Sequence, residues 1–233
     1  MHWLVYVLSI VVLAGCSAGR GPELVPATAT TVPAAELRDW VRPDALPGRT
    51  LMRFRWAYKN DKAGAGGRGS VRLASPDSLR LDTAGPLGSK AASAFVVGDT
   101  ALWVEPADAV DRLIPNYPLM WAMFGMARLP AAGARVEGVR DSIATSWRYV
   151  MGADTLAYRR TALVLQSEYR SGGKLVGRSV STFAPDGALL KARLTVPSVP
   201  AQLDITILRI LKNEAFDADV WKRRAPDSAS VDR

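Results

Sequence analysis

The sequence predicts a mainly-β chain: an antiparallel barrel or sandwich of about ten or eleven strands, interrupted by one helical insertion. Three observations predict it. From Leu51 to Leu211 apolar and polar residues alternate at a period of two over most of the chain. Turn signals punctuate that alternation, among them Ser75-Pro76-Asp77, Gly98-Asp99, Gly152-Ala153-Asp154, Ser171-Gly172-Gly173 and Pro185-Asp186-Gly187. Only the segment 107–129 breaks the pattern, with Pro115 and Pro118 inside a dense run of Leu, Met, Trp and Phe.

The elements follow in order. Residues 34–42 predict a short helix closed by Pro43. In Leu51–Tyr58, Met52, Phe54, Trp56 and Tyr58 share one face, and Arg53 and Arg55 point to the other. Residues 60–69 read as a flexible hairpin connection, because four of them between Gly64 and Gly69 are glycine. Short strands are expected over Val71–Ala74, Ser78–Asp82, Ala94–Val97 and Thr100–Val104. Leu79 and Leu81 share the apolar face of the second of these. Segment 107–129 predicts two short helices with a proline-bearing joint. The second is apolar all round and so must be covered on several sides. Strands then resume at Ile143–Met151, where Ile143, Trp147, Tyr149 and Met151 share a face. Others follow at Leu156–Arg159, Leu163–Tyr169, Leu175–Phe183, Leu189–Val196 and Leu203–Leu211.

Composition excludes whole classes of chemistry. The chain has 233 residues, 48% hydrophobic and 22% charged, which suits one domain with a packed core. Its one Cys (Cys16) and one His (His2) both lie near the N-terminus. A Cys/His zinc site, an imidazole-based triad and an internal disulfide are therefore ruled out. The carboxylates Asp82, Asp99, Asp108, Asp111 and Asp154 are scattered, with no spacing that suggests an acid/base pair. The glycine run 64–69 lacks the strand-to-helix context and Lys-Ser/Thr ending of a phosphate loop. The expectation is a non-enzyme with no cofactor and no metal site.

The N-terminus points to export. Residues 3–13 form an apolar run too short to span a bilayer, which takes about 20 residues, but suited to the core of a signal peptide. Leu13-Ala14-Gly15-Cys16 follows and resembles the bacterial lipobox, in which the Cys is lipidated; an ordinary secretory signal is the alternative. The expected organisation is a signal peptide over 1–15, lipidated Cys16 and a flexible tether over 16–35, a folded domain over 36–221, and a basic then polar tail over 222–233. Ser17 after the Cys leaves the outer membrane as the expected destination, on its periplasmic side. The net charge of +8 reads either as attraction to anionic lipid headgroups or as a solvated basic surface. Nucleic acid is not an expected partner of an exported chain. The richest basic cluster is Lys222-Arg223-Arg224.

What remains is apolar. Met52, Phe54, Trp56, Tyr58, Leu79, Leu81, Trp121, Met123, Phe124 and Trp147 are candidates to line an inner face. They fit either an ordinary core or an apolar cavity beneath a movable helical lid, since Met recurs at adaptable binding surfaces.

Two stretches resemble LolB, the outer-membrane receptor of lipoprotein localisation, and its LolA/LolB superfamily. Ser78–Phe95 has an alternating strand, then Gly85-Pro86-Leu87-Gly88, then a second strand. Leu119–Pro130 is similar to the family's helical segment ending in Leu-Pro. The opening also resembles it: lipobox, tether, a short helix with Trp40, then a long first strand. The similarity spans roughly Leu37–Leu211. It implies an open, strongly curved antiparallel half-barrel of about eleven strands, with helices capping an apolar cavity. It also implies a monomeric carrier or receptor that takes acyl chains of lipoproteins, with a periplasmic LolA-like donor, and inserts them into the outer membrane. By the same match Leu87 is the membrane-insertion residue. The Lys222-Arg223-Arg224 tail and the basic stretch after Ile143 depart from the family pattern and leave another acylated lipid open as cargo. A structural or envelope-assembly lipoprotein with a filled core is the second reading, and a lipid hydrolase the third.

Overall fold

The computed structural model describes residues 23–41, 48–74, 76–85, 92–105, 117–198 and 200–223. Cys16, Leu87 and Arg224 lie outside them. In chain order the elements are β1 (Thr30–Thr31), α1 (Ala34–Val41), β2 (Arg49–Lys59), β3 (Gly64–Ala74), β4 (Ser78–Ala84), β5 (Ala92–Val97) and β6 (Thr100–Glu105). Then come α2 (Tyr117–Met123), β7 (Arg135–Arg140), β8 (Thr145–Met151), β9 (Asp154–Arg160), β10 (Val164–Ser171), β11 (Lys174–Phe183), β12 (Leu189–Val196) and β13 (Ala201–Lys212). A 3₁₀ turn at Ala218–Trp221 follows.

All thirteen strands form one antiparallel sheet in the order β1-β7-β8-β9-β10-β11-β12-β13-β2-β3-β4-β5-β6. It is open, with β1 and β6 at its edges, and curves into a half-barrel around its apolar face. Two up-and-down meanders meet where β13 pairs with β2, setting Leu203, Ile205, Ile207 and Ile210 opposite Tyr58, Trp56, Phe54 and Met52. Hairpin turns therefore alternate between two rims. The upper rim carries the β5–β6, β7–β8, β9–β10 and β11–β12 turns, and the lower rim carries the β2–β3, β8–β9 and β10–β11 turns.

The thirteen strands exceed the expected eleven by β1 and β7. β7 reads RVEGVR, with a glycine at its centre and only two valines, so propensity argues against it. Tertiary packing explains the glycine: a Cβ on Gly138 would lie 2.5 Å from the Trp40 ring and 2.9 Å from Ser146 O. Trp40, Leu37 and Val41 of α1 are buried there, with Trp40 6.3 Å from Trp147.

Three further differences have physical causes. The glycine run expected as a flexible connection is strand: only Asn60–Ala63 turns, held by Asn60 Oδ1 accepting from Lys62 N and Ala63 N at 2.9 and 2.7 Å. Its glycines allow close approach, because a Cβ on Gly69 would meet the Phe54 ring at 2.5 Å. Second, residues 23–33, expected within a flexible tether, lie on the sheet. Val25 and Val32 are buried, Val32 N donates to Val136 O, and Glu23 pairs with Arg148 at 3.6 Å. Third, Ile143 belongs not to the inner face but to the β7–β8 turn, where it is 75% exposed. Asp141 caps that turn by accepting from Ile143 N and Ala144 N.

The first residues of the expected tail are docked rather than free. On the convex side Trp221 packs on Phe95 at 5.2 Å, and Trp103 Nε1 donates to Trp221 O at 3.3 Å. Arg80, buried and paired with Asp82, donates to the carbonyls of Val220 and Lys222. Arg223 reaches Glu105 at 2.5 Å.

Candidate functional site

The site is the concave face. Alternation on β2 and β13 sends Met52, Phe54, Trp56, Tyr58, Leu203, Ile205 and Ile207 inward. Leu79 and Leu81 on β4 and Trp147 on β8 join them. Trp121, Met123 and Phe124 descend on this face from α2, which packs against β10, β11 and β12. Of the two helices expected in 107–129, α2 is the one within the described residues; Phe124–Leu129 continue as a turn and coil.

α2 closes the upper end. Trp121 Nε1 donates to Gly98 O in the β5–β6 turn at 2.8 Å, and Ser181 Oγ donates to Ala122 O at 2.6 Å. Phe124 meets Phe54 with ring centroids 5.8 Å apart. Gly125 adopts φ +84°, and a Cβ there would come within 2.9 Å of the Phe183 ring, so a side chain is excluded twice over. The chain leaving α2 is pinned as well. Arg128 stacks over Trp121 at 4.7 Å, donates to Pro76 O, and its own carbonyl accepts from Tyr149 OH at 2.8 Å.

Burial divides the face in two. Met52, Phe54, Leu79, Leu81, Trp121, Met123, Phe124 and Trp147 are buried. Trp56, Tyr58, Leu203 and Ile207 are only half-buried: Tyr58 and Leu203 are register partners near the lower rim, and the buried Ile205 lies between Leu203 and Ile207 on β13. Trp56 lies across β3, donating from Nε1 to Arg68 O at 3.2 Å, and its register partner is Gly67. Tyr58 OH accepts from Asn60 Nδ2 at 3.0 Å at the lower rim. Apolar surface of this kind gains about 25 cal/mol for each Å² that it removes from water. Among the described residues no three His, Cys, Asp or Glu gather as metal ligands.

Sequence reasoning missed the polar part of the face. Ser167 and Ser179 are fully buried and share a hydrogen bond of 2.8 Å. Ser181 holds α2. Their period-two positions pointed inward, but their residue type hid them. Beside them Tyr158 stacks on Trp147 at 5.2 Å, and Trp147 Nε1 donates to Tyr149 OH at 3.0 Å. Burial pushes the phenols of Tyr149 and Tyr158 well above the ordinary value, and for Tyr158 the neighbouring Tyr149 adds to this. The unfolded chain loses these protons near pH 10, whereas the folded chain keeps them. Stability is therefore full below pH 10 and falls above it. The expected slope is about 1.4 kcal/mol per tyrosine per pH unit, measured as urea midpoints at pH 8, 10 and 11.

No family model matches the chain, and no curated protein matches it. Solved structures do. A domain described as an outer membrane lipoprotein-sorting protein domain, from Vibrio parahaemolyticus, is similar with a TM-score of 0.42 and 9% identity, over 79% of this chain and 94% of that one. A LolA superfamily protein from Nitrosomonas europaea gives 0.43 and 11%, over 82% and 98%. A DUF1329 family protein from Desulfovibrio piger gives 0.47 and 8%, over 78% and 92%. At such TM-scores the fold itself stands on the strand order and register of this chain.

Proposed function

We propose that this protein is a carrier or receptor for acyl chains, taken up along the concave face beside α2. The carrying observation is that Trp56, Tyr58, Leu203 and Ile207 on the inward face of β2 and β13 are only half-buried and pack against the apolar core that includes Trp121 and Phe124. In this reading α2 is a lid, and Met52, Phe54, Leu79, Leu81, Trp121, Met123, Phe124 and Trp147 become lining when it shifts. Cys16 is the lipid anchor to the outer membrane, Leu87 the insertion residue, and the cargo an acylated lipoprotein or lipid handed over by a LolA-like donor. The second reading, an envelope lipoprotein with a filled core, is favoured by the burial of eight of the ten candidate residues and by the Phe54–Phe124 contact.

Tryptophan quenching by a dibrominated stearoyl chain separates them. The carrier reading expects saturable quenching, reduced in Trp56→Phe. A filled core expects none, and that result would end the carrier reading. Trp56→Ala should cost about 2 kcal/mol, less than the roughly 3–5 kcal/mol of a fully buried Trp, because its ring is only half-buried.

A further inference from the structure

The outer face of β12, β13, β2 and β3 collects like charges from distant parts of the chain. Arg53 sits in register opposite Arg209, and Arg55 opposite Arg68. Lys191 is opposite Thr206, whose other partner is Arg55, so Lys191, Thr206, Arg55 and Arg68 form one row across four strands. Lys59 extends the face downward. All six cations are exposed. The only acid at an outward position of these four strands is Asp204, already held by Arg193 at 2.6 Å and by Gln202. Asp82 on neighbouring β4 is held by Arg72 and Arg80. Like charges directly opposite one another destabilise a sheet, so folding alone does not account for this arrangement. The six cations compare with a net charge of +8 for the whole chain.

Two exposed leucines lie within the same face, between the Lys191–Arg68 row and the Arg53–Arg209 pair. Leu190, beside Lys191, is 47% exposed, and Leu208, in the β13 bulge beside Arg209, is 52% exposed. Cations flanking exposed aliphatic side chains suit a lipid surface, where the charges meet headgroups and the leucines enter the interface. A soluble acidic partner would use the cations and leave the leucines in water.

We infer that this basic face docks on a bilayer surface rich in anionic headgroups. This inference is independent of whether the concave face carries an acyl chain. The test is binding of the full chain to phosphatidylcholine vesicles with and without 30% phosphatidylglycerol. Any leader or acyl anchor contributes to both, so their ratio isolates the charge effect. The expected ratio is at least tenfold at low salt, collapsing in 0.5 M salt, since each basic residue near the surface is worth about fivefold. Arg55→Glu should lower the ratio several-fold, whereas Lys174→Glu, the same charge change at the lower-rim β10–β11 turn, should not. Leu208→Ser should weaken binding to anionic vesicles without altering the salt dependence. Equal loss in Arg55→Glu and Lys174→Glu would reduce the effect to net charge and overturn the site. A ratio near one would overturn membrane docking. Thermal midpoints no lower than that of the parent chain, expected because the positions are exposed and Arg55→Glu relieves the repulsion at Arg68, keep these outcomes separate from unfolding, and acyl-chain quenching should be unaltered in every variant.

Discussion

Trp147→Ala is expected to lower the unfolding free energy by about 4 kcal/mol. Trp147 is fully buried on β8 at the meeting point of three layers of contact. It stacks on Tyr158 at 5.2 Å and lies 6.3 Å from Trp40 of α1. It also donates to Tyr149 OH, which in turn donates to the carbonyl of Arg128 behind α2. The substitution thus leaves a cavity and removes the donor to a buried phenol. α1 and the α2 exit both lean on this point, so relaxation should be limited. Chemical denaturation checks the size, and near-ultraviolet circular dichroism should show the aromatic signal weakened. A loss below 1.5 kcal/mol would mean that the aromatic cluster is loosely packed and that α1 is not supported by it.

Glu168→Ala is expected to cost about 3 kcal/mol, because removing one partner of a buried ion pair strands the other. Glu168 lies on the outer face of β10, yet its side chain is 1% exposed. Arg170 reaches it at 3.2 Å, and Arg178, its register partner on β11, closes the other side. Both arginines retain some exposure, 14% and 33%, which keeps the cost at the lower end of the range for buried pairs. Glu168→Met with Arg178→Met should recover much of the loss by replacing charge with packed apolar volume. Urea midpoints of the single and double variants measure this. A double variant no more stable than Glu168→Ala would show that the cluster acts through more than charge pairing.

The contrast between these two sites shows what was legible beforehand. Trp147 was marked by alternation alone, since an aromatic on an apolar period-two face must be covered. Glu168 was not, because nothing near it in the chain says that Arg178 will cross the hairpin to bury it. The candidate face divides the same way. Its aromatic members on β2 and α2 were read from local pattern, whereas Ser167, Ser179 and Ser181 became part of it only through burial and through the carbonyl of Ala122.

Alternation and turn chemistry within a few residues set the β class, the antiparallel strands, the helical insertion and the inward face of β2. The sequence also excluded zinc, disulfide and imidazole chemistry by count. Packing in space makes the glycine run a strand under Phe54, forms β7 beneath Trp40, and docks Val25, Val32 and Trp221. It also sets Arg209 against Arg53 and Lys191 in the row of Arg55 and Arg68. Strand pairing joins segments more than a hundred residues apart, and its register follows from which side chains fit together in space, information that no local period carries.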